Sequence, residues 1–193
     1  MDNSIINLFN DIKEKENVNL LPLDNDIADN FKNNFCEFSD KLFFKVASNC
    51  GGIIIDNWIR LYGSGLVNII DKNMTNDFNY DIIIGEDVCG GLFSIKENVV
   101  YYFAPDTLKW ESLDVYYSNF LNWILNNPDG LSQFYETFRW NGWKEFCKNI
   151  QLNQGISFYP QLCFEGNIED RSKKIISIDE IIKMNIDLSK QIK

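Results

Sequence analysis

Residues 85–125, GEDVCGGLFSIKENVVYYFAPDTLKWESLDVYYSNFLNWIL, constrain this chain more than any other stretch. Short apolar runs alternate with turn formers and lead directly into an amphipathic segment. Residues 92–95 and 99–103 have the length and the β-branched and aromatic content of strands. The polar Lys96-Glu97-Asn98 tip between them suits a short hairpin loop. Gly90 and Gly91 permit a bend or bulge that side chains would block. Pro105 and Asp106 form a turn, because proline presets φ at the second turn position. Residues 108–113, with Trp110 in the middle, read as a third strand. Ser118 is the expected N-cap of a helix carrying Leu121, Ile124 and Leu125 on one face. A β-meander feeding a helix builds a core and contains no recognisable catalytic arrangement.

The flanking sequence fits the same plan. Ile5, Leu8, Phe9 and Ile12 form the stripe of a first helix, with Ser4 as its cap. Residues 18–21 are a short strand stopped by Pro22, and a second helix starts near residues 24–26. Residues 42–47 suit either a helical turn or a strand. Gly51 and Gly52 open a hairpin in which residues 53–55 pair with 58–62 across Asp56-Asn57. Gly63-Ser64-Gly65 breaks it, a short helix around Leu66, Ile69 and Ile70 follows, and residues 71–79 read as a polar loop. Beyond the Pro128-Asp129-Gly130 stop, Leu131, Phe134, Tyr135 and Phe138 keep helical spacing, and Trp143, Phe146, Cys147 and Ile150 repeat it. Residues 156–159 and 174–178 are late strands joined by a charged loop. No linker interrupts residues 1–193, so one α+β domain is expected, with a mostly antiparallel sheet flanked by helices.

A formal net charge of −10 argues against nucleic acid and anionic membrane as partners, because phosphate binding needs clustered Lys and Arg. No apolar run approaches the ~20 residues of a membrane span. Met1-Asp2-Asn3-Ser4 lacks the basic region of a secretory signal. The five cysteines form no C-x-x-C pair, which suggests reduced thiols in a cytoplasmic protein. With no histidine in the chain, a zinc site and the usual nucleophile–His triads are not expected, and no cofactor is implied.

Several candidate sites need weighing. Gly63-Ser64-Gly65 before a short helix offers backbone N–H groups to an anion, yet lacks a P-loop lysine; a plain turn is the simpler reading. Glu86, Asp87, Asp106 and Glu111 are possible paired carboxylates, but adjacent strand residues point to opposite faces, and surface or turn roles are expected. Asp71, Asn73, Thr75 and Asp77 alternate like calcium ligands without the glycine and glutamate such a loop needs. Trp58, Trp110, Trp123, Trp140 and Trp143 suit a core or, alternatively, a sugar-binding groove. Arg139 with Trp140 and Trp143 is the best candidate for a partner-binding surface, since exposed aromatic–Arg clusters often anchor partners.

Taken together, GGIIIDNWIRLYGSG from Gly51 to Gly65, with Gly52 and Gly63 inside it, GEDVCGGLFSI, VYYFAPDTLKWESL, YSNFLNWIL, FYETFRWNGWKEF and QGISFYP resemble a bacterial family of unknown function that looks like a member of the SUKH (Smi/Knr-like) superfamily. The resemblance covers about residues 18–178 and departs at residues 96–99, where relatives often carry a longer glycine-containing loop. It implies a SUKH-like α+β fold and a non-enzymatic interaction domain, many of whose relatives are immunity proteins that neutralise toxins. It implies a toxin as the partner and transfers no catalytic residue; a basic toxin is compatible with the net charge of −10, although solubility alone also accounts for that charge. A small-ligand or carbohydrate-binding protein using a Trp-rich surface is the alternative.

Overall fold

A computed structural model describes residues 3–74 and 82–191. In chain order, helix α1 (Asn3–Lys13) precedes strand β1 (Val18–Leu20), helix α2 (Asn25–Asn34), a 3-10 turn (Cys36–Phe38) and helix α3 (Leu42–Ala47). Strands β2 (Gly52–Ile55) and β3 (Ile59–Tyr62), helix α4 (Ile69–Met74) and strands β4 (Ile82–Asp87), β5 (Leu92–Lys96), β6 (Val99–Ala104) and β7 (Lys109–Tyr116) follow. Helices α5 (Tyr117–Asn126), α6 (Pro128–Phe134) and α7 (Trp143–Cys147), the β8 (Gln154–Tyr159) and β9 (Ser172–Ser177) pair, and helix α8 (Ile178–Gln191) complete it.

Strands β1 to β7 form one antiparallel sheet in sequence order, and β8 pairs with β9 separately. This meander is the topology that short connections favour. Connections of three residues between β2 and β3 and two between β5 and β6 make these hairpins tight. Asp56 and Asn57, and again Glu97 and Asn98, take positive φ, the geometry that matches strand twist. Every residue of β2, β3 and β4 is buried, so the sheet is covered on both faces at its centre; the uninterrupted isoleucines of β2 and β4 follow from that. The β7 edge is exposed or half-buried along its whole length.

Close backbone approach explains one group of glycines. A Cβ on Gly51, Gly63 or Gly65 would strike the backbone of Pro22 or of residues 50–52, because this loop and the β1 exit are packed backbone to backbone. The loop's N–H groups are also in use: Gly63 donates to Val67 O and Ser64 to Cys50 O. A packed turn, not an anion cradle, is what the sequence Gly63-Ser64-Gly65 makes.

Aromatic rings cement the helices to the sheet. Phe93 packs on Tyr102 and on Phe120 of α5, Tyr102 on Phe134 of α6, and Phe43 of α3 on Tyr117. Asp24 caps α2 by accepting from Asp26 N and Ile27 N.

Several local expectations need correction. Helix α5 starts at Tyr117, so Ser118 lies inside it and bonds Asn119 instead of capping. Residues 71–74 continue α4, and the remainder of the expected polar loop, with Thr75 and Asp77, lies outside the described residues. The register shift in the β4–β5 pair falls between Ile83 and Gly85, while Gly90, at φ +80°, belongs to a turn. Strand β7 continues three residues past Leu113, through an irregular register and a positive φ at Asp114. Trp110 is only half-buried, against Phe103, because it lies on the edge strand. Helix α8 was not anticipated in the sequence.

Candidate functional site

The polar residues with chemical potential converge on the end of β4. Glu86 and Asp87 are both fully buried, which overturns the expected surface role. The alternation of a strand still holds: the two carboxylates enter separate networks on opposite faces.

On one face, Arg60 lies directly across from Glu86 in the β3–β4 ladder. Its Nη1 donates to Glu86 Oε1 at 3.3 Å, and its Nη2 donates to the carbonyls of Gln151 and Gln154 at 3.1 and 2.6 Å. Glu86 Oε2 accepts from the Tyr62 hydroxyl at 2.6 Å and faces Lys72 Nζ of α4 at 3.3 Å. Lys72 also donates to Asp179 in the first turn of α8 at 2.6 Å. Burial alone would pull the Lys72 ammonium down, but Glu86 and Asp179 outweigh it and hold its pKa above the ordinary lysine value. Burial and the neighbouring Glu86 push the Tyr62 phenol well up, so it remains a donor.

On the other face, Asp87 collects four donors. Its Oδ1 accepts from Cys89 N at 2.8 Å and Gly91 N at 3.0 Å; its Oδ2 accepts from the Tyr102 and Tyr135 hydroxyls at 2.5 and 3.1 Å. Burial raises the Asp87 pKa, opposed by these donors. Glycine is required at position 91, because a Cβ there would collide with Asp87 Oδ2 and the Tyr102 hydroxyl. Asn185 of α8 closes the turn by donating to Cys89 O and Gly90 O. Each carboxylate is thus a structural hub: Glu86 is ion-paired and hydrogen-bonded, and Asp87 is hydrogen-bonded to neutral donors alone.

The Arg139 cluster occupies a third position. Its guanidinium carbon sits 3.9 Å from the Trp143 ring centre, 4.9 Å from Trp58 and 5.0 Å from Tyr135. Asp56 Oδ2, on the β2–β3 turn, lies 4.0 Å from Arg139 Nη2. The Arg139 side chain is 6% exposed. Burial pulls its pKa down from the ordinary arginine value, and Tyr135 and Asp56 oppose that pull. Trp140 is buried against Trp58, Phe146 and Phe158, and Trp143 is half-buried. The three residues do come together, but the exposure on which the partner-surface reading rests is missing for Arg139 and Trp140. Their aromatic neighbours pack over them because the corner after α6 folds back onto the β2–β3 turn.

The remaining candidates are local. Asp106 accepts from Thr107 N, and the Thr107 hydroxyl donates to Glu111, which is turn chemistry. Asn73 serves as a backbone clip, exchanging two hydrogen bonds with Ile83. Trp58 and Trp140 are buried, and Trp110, Trp123 and Trp143 are half-buried. The cysteines are free thiols. Sequence reasoning missed Arg171, a buried residue that donates to the carbonyls of Pro160, Gln161, Phe164 and Gly166 and shapes the β8–β9 connection. Its only sequence signal was an arginine in a chain with just three.

Comparison with known proteins places these features in a family. The model described as "Protein of unknown function DUF2625" matches residues 2–181. A putative uncharacterized protein of Escherichia coli K12, YbfG, is 33% identical over 179 residues, spanning 86% of this chain and 82% of its own. An uncharacterized protein of Haemophilus influenzae is 29% identical over 155 residues, 70% of this chain and 67% of its own. The chain belongs to the DUF2625 family, a bacterial family of unknown function.

Proposed function

We propose that this protein is a non-enzymatic, cytoplasmic protein-interaction domain whose partner is a basic protein. The observation that carries this reading is the partition of charge. All three arginines point inward: Arg60 onto Glu86, Arg139 into its aromatic cage and Arg171 onto four carbonyls. With Glu86 and Asp87 also internal, the buried set sums to a formal +1, leaving −11 on the rest of the chain. The surface therefore shows carboxylates with lysine as its only cationic side chain. Such a surface attracts a basic face and speeds encounter with it. The carboxylates best insulated from water have their oxygens occupied, Glu86 by Arg60, Lys72 and Tyr62 and Asp87 by four neutral donors, which favours binding over acid–base chemistry.

The resemblance to SUKH proteins narrows the proposal to toxin neutralisation. A nuclease toxin must carry a basic face to hold phosphates, and an acidic protein can cover it. The alternative, a carbohydrate-binding protein, has less support from the tryptophans, since Trp58 and Trp140 are buried and Trp110, Trp123 and Trp143 are half-buried.

The test is capture of partners by the tagged protein at low ionic strength, followed by stopped-flow association with the purified partner. A basic protein should be recovered, and its association rate should fall about tenfold or more between low and physiological salt, with a smaller change in dissociation. Recovery of neutral sugars alone, or an association rate indifferent to salt, would remove the proposal.

A further inference from the structure

Among the described residues, three buried N–H donors of one cluster have no acceptor: Arg139 Nε, Arg139 Nη2 and Trp58 Nε1. Arg60 and Arg171, by contrast, spend their guanidinium groups on carboxylate or carbonyl oxygens. The two Arg139 atoms are the pair along one edge of the guanidinium, the fork that grips both oxygens of a carboxylate in parallel. The aromatic rings of Trp143, Trp58 and Tyr135, with centres 3.9–5.0 Å from its central carbon, hold the group in place. A buried fork left unpaired is costly, and native structures rarely tolerate one.

The β2–β3 turn lies between the fork and solvent-facing space. Asp56, 4.0 Å from Arg139 Nη2, is beyond hydrogen-bond distance and is itself held by Asn17 Nδ2 at 3.3 Å. Asp56 also forms part of the wall of a surface cleft of about 210 Å³, whose other charged lining residues are Glu16, Lys144 and Lys148. Lys144 Nζ stands 5.5 Å from the Trp143 ring centre, on the same aromatic wall that stacks Arg139. Asp56 thus stands between the cleft, with its two lysines, and the unpaired fork behind it.

We propose that Arg139 is the anchor of a binding site for a small monoanionic carboxylate, entering past Asp56. The charge follows from the surroundings. An aromatic cage strips water from whatever enters, which penalises a phosphate dianion more than a carboxylate. Asp56 at the entrance adds repulsion that grows with the ligand's charge. Trp58 Nε1 supplies a further neutral donor within the same cage. This site is separate from the acidic surface invoked above, and neither proposal requires the other.

The full chain, labelled with ¹⁵N, tests it directly. Its three arginines and five tryptophans give few side-chain Nε signals, so each can be followed. Titration with acetate at constant ionic strength, balanced with chloride, should move the Arg139 Nε and Trp58 Nε1 resonances saturably. The Arg60 and Arg171 signals should stay in place, serving as internal controls. Asp56→Asn should lower the acetate concentration at half-saturation, because it removes the competing carboxylate. Arg139→Lys should abolish the Trp58 response while retaining a positive charge. If that variant does not fold, the wild-type and Asp56→Asn titrations decide alone. No saturable shift with acetate, an equal shift in all three arginines, or saturation by phosphate but not acetate would each overturn the proposal.

Discussion

Replacing Asp87 separates a structural hub from an ordinary buried residue. Asp87→Ala removes the acceptor of four donors, two of them backbone N–H groups at 2.8 and 3.0 Å and two phenol hydroxyls at 2.5 and 3.1 Å. Each orphaned donor costs about 1–3 kcal/mol, partly offset because the variant no longer buries a carboxylate. The expected net loss is about 4 kcal/mol, a large part of the ~5–15 kcal/mol available to a domain. Asp87→Asn behaves differently. Its remaining oxygen can still serve Cys89 N and Gly91 N, while its amide faces the two hydroxyls and leaves their protons without an acceptor. A loss of roughly 2 kcal/mol is expected. Urea unfolding followed by circular dichroism reads both. The pH dependence adds a second check. Burial raises the Asp87 pKa above its ordinary 3.8, so the folded state holds a proton that the unfolded state releases. The associated stability is fully present below the unfolded value and is lost as pH rises through the raised folded value. The gap between wild type and Asp87→Asn should therefore narrow as pH rises across that window. An alanine variant within about 1 kcal/mol of wild type, or no difference between Ala and Asn, would refute the account.

Three further outcomes are expected. Arg171→Ala should cost about 2–3 kcal/mol and speed proteolytic cutting within residues 160–171, since four carbonyls lose a charged donor; unchanged protection of that loop would contradict the clamp. Trp110→Ala should cost only about 1–2 kcal/mol, below the 3–5 of a fully buried ring, as judged by the denaturant midpoint. Alkylation without reductant should modify all five cysteines once the protein is denatured, but Cys36 first in the native state. Cys50 and Cys147 should lag, because burial pushes their thiols up to about 12.

Local chemistry made much of the fold legible. The Asp56-Asn57 and Glu97-Asn98 turns, the strands they join and the start of α2 near residues 24–26 all rest on neighbours within a few residues, so periodicity and turn residues suffice to place them. The α+β class follows from the same signals. Strand parity was equally readable, and it separates Glu86 from Asp87.

What became of those two carboxylates was decided only in three dimensions. Their burial depends on Arg60 and Tyr62 from β3, Lys72 from α4, Tyr102 from β6 and Tyr135 beyond α6. Tyr135 lies 48 residues away from Asp87, too far for any local pattern to pair them. A charged dipeptide next to a glycine turn reads as surface because exposure is the usual fate of charge, and only assembled partners reverse that. The same reason hid the Arg139 cage. Tyr135 and Trp143 lie close to Arg139 in the chain, but Trp58 and Asp56 arrive from a distant hairpin and turn an expected surface anchor into an enclosed one.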